Sequence, residues 1–152
     1  MTFFHVPQSS HLPPFHLAFP VDDLTSARQF YGEILGCPEG RSSDEWIDFN
    51  LFGHQIVAHK VSIEEHLEEA CSDVDGHQVP VRHFGLVLPS HIWQELVQHL
   101  ETQKVPFLIK PCLRFKDSPG EQHTLFIKDP SGNALEFKSM TSPDNLFAQF
   151  NK

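Results

Sequence analysis

The sequence predicts an α+β protein built from two tandem βαβββ modules, whose strands form a curved mixed sheet around a cup. The order of strand and helix patterns repeats along the 152 residues, with an offset of about 67 residues that separates His16 from His83. Two hairpin segments, FGHQIVAHK and SGNALEFK, align on their glycines, Gly53 and Gly132. The chain length fits one domain, or two small halves that share a core.

The first module begins with a strand and a helix. FHLAF at 15–19 is a short apolar run between prolines, which is typical of a strand. DDLTSARQFYGEILG at 22–36 has apolar residues at helical spacing. Asp22 or Asp23 is its predicted N-cap, and Gly36 its predicted end.

Three further strands complete the first module. EWIDFNLF at 45–52 alternates polar and apolar residues, and HQIVAHK at 54–60 follows it after a glycine turn. A short edge strand near residues 40–43 would complete the order βαβββ.

The same order then restarts. RHFGLVL at 82–88 predicts a strand, and SHIWQELVQHLETQ at 90–103 predicts a helix with Ser90 as its N-cap. PFLIK, EQHTLFIKD and NALEFK predict three more strands. DPSG, between the last two of these strands, is a strong turn signal.

Composition excludes several classes of function. A formal net charge of −9 and the absence of any Lys/Arg run argue against a nucleic-acid partner or an anionic membrane surface. The N-terminus does not have the pattern of a signal peptide, and the apolar runs are too short to span a bilayer. Three unclustered cysteines, Cys37, Cys71 and Cys112, favour reduced thiols in the cytoplasm.

Three residues that commonly bind metals occupy comparable positions in the predicted strands. His16 and His83 lie near the start of equivalent strands, and Glu136 lies in the last strand. Each should project opposite its apolar neighbours, because strand side chains alternate. A buried Glu is costly unless it is paired or binds a cation. Two imidazoles and one carboxylate form the facial triad of non-haem Fe(II) sites, and tetrahedral zinc with an open position is an alternative.

The first hairpin offers no carboxylate at the matching position. Val57 aligns with Glu136, and valine cannot coordinate a metal. His59 should share the face of Val57, and it is either a long fourth ligand or, as we prefer, an acid/base that bonds to substrate. Gln55, on the same face, either contacts the ligand or is structural.

His123 is the second candidate for proton transfer. If Asp129 and Gly132 close the last turn, Leu125 lies opposite Glu136, and His123 shares that face. Arg114 is either a contact for an anionic substrate or an exposed strand-edge residue, the second being commoner.

Several of these segments resemble the vicinal oxygen chelate superfamily, which includes glyoxalase I, bleomycin- and fosfomycin-resistance proteins and extradiol dioxygenases. The resemblance rests on FHLAFPVDDLTSARQFYGEILG, FGHQIVAH, RHFGLVL and KDPSGNALEF. It implies a paired βαβββ fold around a metal cup, with His16, His83 and Glu136 as the metal ligands. It also implies that substrate binds the metal through two adjacent oxygens.

The resemblance sets the predicted domain organisation. An N-terminal arm spans 1–13, a single domain spans 14–139, and a tail spans 140–152. Within the domain, modules at 14–61 and 82–139 flank a connector at 62–81 that can hold a short acidic helix, SIEEHLEEA. The tail can add a helical turn or two.

The predicted function is that of a dioxygenase-like, metal-dependent enzyme acting on a small molecule, with His59 and His123 moving protons. Fe(II) is the favoured metal, and Mn(II), Zn(II) or Ni(II) are alternatives. Glyoxalase I places a fourth ligand, usually Glu, in the strand at 54–60, which lacks an acid here. This difference weighs against glyoxalase I chemistry. The rival predictions are a glyoxalase-type lyase or isomerase and a protein that sequesters a small ligand. A homodimer is also expected.

Overall fold

A computed structural model describes residues 12–62 and 70–149. The regular elements follow one another along the chain in two similar series. They are β1 His16–Val21, α1 Leu24–Ala27 with a π-helical continuation Arg28–Ile34, β2 Glu39–Ser42, β3 Trp46–Leu51, β4 His54–Lys60, β5 Cys71–Val74, β6 His77–Pro80, β7 His83–Val87, α2 Ser90–Thr102, β8 Phe107–Arg114, β9 Gln122–Lys128, β10 Ala134–Met140 and a 3-10 turn Pro143–Asn145.

Each series forms its own four-stranded mixed sheet. The strand orders are β1-β4-β3-β2 and β7-β10-β9-β8, so the two sheets have the same topology. In each sheet the first strand is parallel to the fourth, and the remaining pairs are antiparallel. The predicted tandem βαβββ architecture is confirmed, including the short edge strand near residues 40–43. None of the helices in the described ranges has the length and hydropathy that a bilayer crossing requires.

The helix of the first module is capped by one of the two predicted acids. The carboxylate of Asp23 accepts from the backbone N–H groups of Thr25 and Ser26, at 3.3 and 2.9 Å, which satisfies two donors that the helix leaves free. The π-helical segment is followed by Gly36, whose φ of +69° suits a residue without a side chain.

The predicted cap of the second helix is wrong. Ser90 is the first helical residue, and the preceding Pro89 occupies the N-cap position without any side-chain hydrogen bond. The carbonyl of Pro89 accepts from the N–H of Trp93 at 2.9 Å. Proline fixes φ near the value that leads into a helix, so the chain enters α2 without a hydroxyl cap.

A hairpin that was not predicted lies in the connector. β5 and β6 pair with each other, and Val79 of β6 packs with Ile109 and Phe126 of the second sheet. The guanidinium of Arg114 donates to the carbonyl of Val74 at 2.7 Å. Arg114 is 3% exposed, so it anchors this hairpin and is not an exposed strand-edge residue. Most of the predicted acidic helix lies at 63–69, outside the described residues.

The two modules share one core on the helix side of both sheets. Phe19 of β1 and Phe84 of β7 have ring centroids 5.2 Å apart. The buried hydroxyl of Tyr31 donates to the carboxylate of Asp129 at 2.8 Å, and the side-chain amide of Asn133 donates to the carbonyl of Pro20 at 2.8 Å. The DPSGN turn of the second module therefore holds the first module in place.

Candidate metal centre

The equivalence between Val57 and Glu136 is confirmed by strand pairing. Val57 lies beside Ala18, and Glu136 lies beside Gly85. Ala18 and Gly85 each stand two residues after the histidine that begins their strand. Because neighbours in register point to the same face of a sheet, each module has a ligand face that lies opposite its helix. This face carries His16, Gln55, Val57 and His59 in the first module, and His83, Gly85, Glu136 and Lys138 in the second.

The second ligand face brings two predicted ligands into direct contact. The Nε2 atom of His83 lies 3.2 Å from Oε2 of Glu136. Glu136 is 8% exposed, and the hydroxyl of the fully buried Thr124 donates to its Oε1 at 2.6 Å. Oε1 of Glu136 is therefore held by Thr124, while Oε2 faces His83.

This contact shifts the pKa values of both groups in opposite directions. The hydrogen bond with Glu136 raises the pKa of His83 above its usual value, although partial burial opposes it. Burial would raise the pKa of Glu136, but hydrogen bonds from His83 and Thr124 outweigh it and hold that pKa below its usual value. The pair therefore favours a carboxylate, the charge state that a metal ligand needs.

The Nδ1 atom of His83 is hydrogen-bonded to the backbone. Nδ1 donates to the carbonyl of Pro80 at 2.7 Å, and a carbonyl oxygen can only accept. Nε2 is consequently the nitrogen that faces Glu136 and would face a bound cation. A histidine metal ligand typically donates its other N–H to a carbonyl or carboxylate in this way.

A cation already lies beside the same carboxylate. Nζ of Lys138 lies 3.8 Å from Oε2 of Glu136, and its side chain is 31% exposed. Lys138 was not among the predicted site residues. It lies two residues after Glu136 on the same face, so the period of a strand was sufficient to find it.

Gly85 allows the first and last strands of the second module to come close together. A Cβ atom at this position would overlap the backbone carbonyl of Glu136. The absent side chain therefore permits the β7–β10 pairing that brings His83 beside Glu136.

His16 has a different environment on the first ligand face. It is exposed, and its Nδ1 lies 2.7 Å from Oε1 of Gln55, its neighbour in register. Nε2 of Gln55 donates in turn to Oδ2 of Asp48 at 3.1 Å. Asp48 is 7% exposed and also accepts from Nε of Arg41 at 3.3 Å. Gln55, which the sequence left open between ligand contact and structure, thus contacts a predicted ligand.

The three predicted ligands do not assemble within one chain. Among residues 12–62 and 70–149, no group of three His, Cys, Asp or Glu side chains has the proximity that one metal ion needs. The fold brings His83 and Glu136 together on one sheet and places His16, which is exposed, on the other sheet.

Comparison with known proteins identifies the family. A model described as the glyoxalase/bleomycin resistance protein/dioxygenase superfamily matches residues 14–137. The chain belongs to this superfamily. A superfamily crystal structure from Alicyclobacillus acidocaldarius is 31% identical, with a TM-score of 0.72 over 88% of this chain and 96% of the other. No curated protein matches the sequence significantly.

Two more distant members of the superfamily share the fold. A lactoylglutathione lyase from Agrobacterium tumefaciens has a TM-score of 0.62 at 17% identity, over 94% of this chain and all of the other. The fosfomycin resistance protein FosX from Listeria monocytogenes has a TM-score of 0.64 at 18% identity, over 91% of this chain and all of the other. The superfamily contains enzymes of different kinds, so membership alone does not select a reaction.

The predicted placement of His123 is wrong. Glu136 lies opposite Phe126 and not Leu125, because the last turn closes between Asp129 and Asn133. One extra residue in the turn moves every side chain of β9 to the other face. His123 therefore lies on the helix side of the sheet, 5.4 Å from the ring of Trp93 between centroids. It does not share the ligand face with Glu136.

His59 has the predicted face but lies away from His16. It is exposed, and it pairs with Pro20 and Trp46 on the face that carries Gln55 and Val57. It lies four positions after Gln55, the neighbour of His16, which corresponds to about 13 Å along the strand. This spacing favours contact with a bound molecule over direct binding to the ion that His16 would hold.

Two supporting residues were missed by the sequence analysis. Asp48 alternates with apolar neighbours in EWIDFNLF, so its position on the ligand face was accessible from the sequence. Thr124 required the register of the last hairpin, and the register predicted from the turn placed it on the wrong face.

Proposed function

We propose that this superfamily member is a metal-dependent enzyme of dioxygenase type, in which His16, His83 and Glu136 bind one divalent metal. The contact between His83 and the buried carboxylate of Glu136 carries this proposal. A buried carboxylate on the ligand face, anchored by Thr124 and facing a ring nitrogen, is the arrangement expected of two adjacent metal ligands. Fe(II) is the favoured ion, with Mn(II), Zn(II) or Ni(II) as alternatives.

The donor set suits an ion that also binds substrate. Two imidazole nitrogens and one carboxylate leave coordination positions free, and Val57 adds no ligand at the position equivalent to Glu136. When bound, the metal would act as a Lewis acid and template for two adjacent oxygens of a small substrate, and iron would also provide O₂ activation.

The three ligands would converge through association of two copies. His16 lies on an exposed face, and the pair formed by His83 and Glu136 lies on another face of the same chain. We propose a homodimer in which His16 of one copy completes the site that His83 and Glu136 begin on the other. This arrangement reconciles a three-ligand site with a single chain that does not assemble it.

The remaining residues of the ligand faces would act on substrate. His59 can take or give a proton at a substrate oxygen, because an imidazole has both an N–H donor and an accepting nitrogen. The Lys138 ammonium would attract negative charge on a substrate beside Glu136. Because the spaced cysteines carry no sign of a disulfide framework, the cytoplasm stays the proposed location.

A glyoxalase-type lyase or isomerase is the second candidate. It is favoured by the shared fold with the Agrobacterium lactoylglutathione lyase, and it would use Zn(II) or Ni(II). The absence of an acidic ligand at Val57 weighs against it. A binding protein that sequesters a small ligand is the third candidate.

Elemental analysis of the native protein, combined with oxygen uptake on catechols, separates these candidates. Iron with uptake supports the dioxygenase, and zinc or nickel without uptake supports the glyoxalase type. Tight ligand binding without turnover supports sequestration. A protein that folds but binds no divalent metal at all would refute the metal proposal.

Substitutions locate the ligands. His16→Ala and Glu136→Ala should each abolish stoichiometric metal while the far-UV circular dichroism spectrum is retained. Val57→Ala, at the position equivalent to Glu136, is the matched control and should keep its metal. His59→Ala should also keep metal while lowering activity. Retention of full metal by Glu136→Ala would contradict the assignment.

A further inference from the structure

The first module holds its histidine through a chain of side chains, whereas the second module uses its backbone. We infer that Gln55 and Asp48 are positioning residues that lock His16 with its proton on Nδ1 and present the bare Nε2 atom to a cation. The purpose of this lock rests on the proposed metal site, but the lock itself is a property of the metal-free chain.

The chain of hydrogen bonds has a fixed direction that begins at Asp48. An ionised carboxylate can only accept hydrogen bonds, and Arg41 already donates to Oδ2 of Asp48. The atom of Gln55 that faces the same oxygen, at 3.1 Å, must therefore be the amide nitrogen. Asp48 is 7% exposed, so water competes little for this contact.

The orientation of Gln55 then decides the tautomer of His16. Since the amide nitrogen faces Asp48, the carbonyl oxygen Oε1 faces Nδ1 of His16, at 2.7 Å. A carbonyl oxygen has no proton to give, so Nδ1 must be the donor. The neutral ring consequently has its lone pair on Nε2, the form in which imidazole binds a metal through that atom.

Backbone geometry supports the same conclusion. His16 and Gln55 are neighbours in register on β1 and β4. Asp48 lies on the adjacent strand β3, opposite Val57 and one same-face position from Gln55. Three neighbouring strands thus place the donors and acceptors in a row across one face of the sheet.

His83 provides an internal control. Its Nδ1 donates to the backbone carbonyl of Pro80, which no substitution at Gln55 removes. Any change confined to His16 can therefore be assigned to the loss of Gln55, and a change at both histidines would indicate a general disturbance of the fold.

The test uses the metal-free full-length protein and long-range ¹H–¹⁵N correlation spectra of its histidine rings. Spectra are recorded at a pH at which the ¹⁵N chemical shifts of the His16 ring are those of a neutral imidazole. In the native chain, His16 should show a proton-bearing Nδ1 and a bare Nε2. Gln55→Leu should shift His16 toward the opposite tautomer. Gln55→Glu combined with Asp48→Asn exchanges the amide and the carboxylate, and this double variant should keep the native form because the carboxylate at position 55 still accepts from Nδ1.

A zinc titration against a chromophoric chelator connects the lock to binding. Gln55→Leu should weaken zinc binding by about 10-fold to 100-fold, the usual effect of removing a partner of a metal ligand. The double variant Gln55→Glu with Asp48→Asn should bind zinc within a few-fold of the native protein.

The inference is overturned if native His16 carries its proton on Nε2, or if Gln55→Leu leaves the ring nitrogens of His16 unchanged. A different failure belongs to the metal proposal. If the tautomers behave as expected but zinc binds to none of the three proteins, the lock stands and the proposed metal site is refuted.

Discussion

The two modules share a strand order but place their acidic groups differently. In the second module Glu136 lies on the last strand and faces Phe126 across the hairpin. In the first module the equivalent position is Val57, and the carboxylate lies opposite, at Asp48 on the neighbouring strand. Each module thus has one buried carboxylate on its ligand face. It lies on β10 in the second module, but in the first module it lies on β3, the equivalent of β9.

The two carboxylates therefore have different contacts and different proposed roles. Glu136 faces the ring nitrogen of His83 and is available to bind a cation. Asp48 faces the amide of Gln55 and the guanidinium of Arg41, so in the proposed site it would position His16 and would not bind the metal itself. The second module therefore forms two thirds of the proposed site by itself, and the first contributes a single histidine with its supports.

The largest expected effect tests the close approach of strands in the second module. Gly85→Ala should destabilise the protein by about 3 kcal/mol, because the added methyl group would overlap the backbone of Glu136 and push β7 away from β10. Urea denaturation measures the free energy of unfolding. Ala18→Gly, at the equivalent position in the first module, should cost only about 1 kcal/mol. Equal losses of unfolding free energy at both positions would show that the close approach of β7 and β10 does not distinguish the second module from the first.

The next effect tests why valine occupies position 57. Val57→Glu should lower the free energy of unfolding by about 2 kcal/mol more than Val57→Gln. Both variants place a polar group at a site that is 5% exposed, but only the first sets a negative charge directly opposite Asp48. Denaturation of the two variants at neutral pH measures the difference. If Val57→Glu is as stable as Val57→Gln, repulsion from Asp48 does not explain why an uncharged residue occupies position 57.

A third effect concerns the pH dependence of metal binding. The pKa of His83 is raised by Glu136, and a proton on Nε2 competes with the metal. Affinity should therefore rise with pH until the raised pKa of His83 is passed, and below it affinity should fall by about tenfold per pH unit. Isothermal titration across this range measures it.

The metal-free protein should show the opposite trend in stability. Since the folded pKa of His83 lies above its unfolded value, the ion pair stabilises the fold fully at pH values below the unfolded pKa of His83 at which Glu136 is still ionised. That contribution is lost as pH rises through the folded pKa. In Glu136→Gln the carboxylate is absent, so this stability trend of the metal-free protein should be much weaker, and its persistence would assign the pH dependence to another group.

The smallest effect tests the cation beside Glu136. Lys138→Met should strengthen metal binding by about fivefold or less, because the ammonium at 3.8 Å competes with the metal for the carboxylate and is partly screened by water. A chelator competition assay measures it. Lys60→Met, in the first module, is a control that should change nothing. Weaker metal binding in Lys138→Met would mean that Lys138 supports the site.

Much of this arrangement was accessible from the sequence, because backbone periods are local. The alternation of strand side chains predicted that His16, His83 and Glu136 would occupy the ligand faces. The repeat offset predicted the equivalence of Val57 and Glu136. The last turn was not accessible in the same way, since it closes at Asn133, one residue beyond the predicted Gly132. That single residue was enough to move His123 to the opposite face.

Two other features depend on information that short patterns do not carry well. The β5–β6 hairpin has four-residue strands with few apolar residues, although its Asp75-Gly76 turn, with φ values of +51° and +77°, is a strong hairpin signal. The separation of His16 from the other two ligands depends on how the modules pack through Phe19, Phe84 and Tyr31. No local pattern reports that packing.

The most direct test of a shared metal site combines two variants that each lack metal. His16→Ala and Glu136→Ala chains carrying different affinity tags are co-expressed, and the dimer that contains one of each is purified. One of its two sites would hold an intact His16, His83 and Glu136, so we predict one bound metal ion per mixed dimer. A mixed dimer without metal would contradict a site built from two copies of this chain.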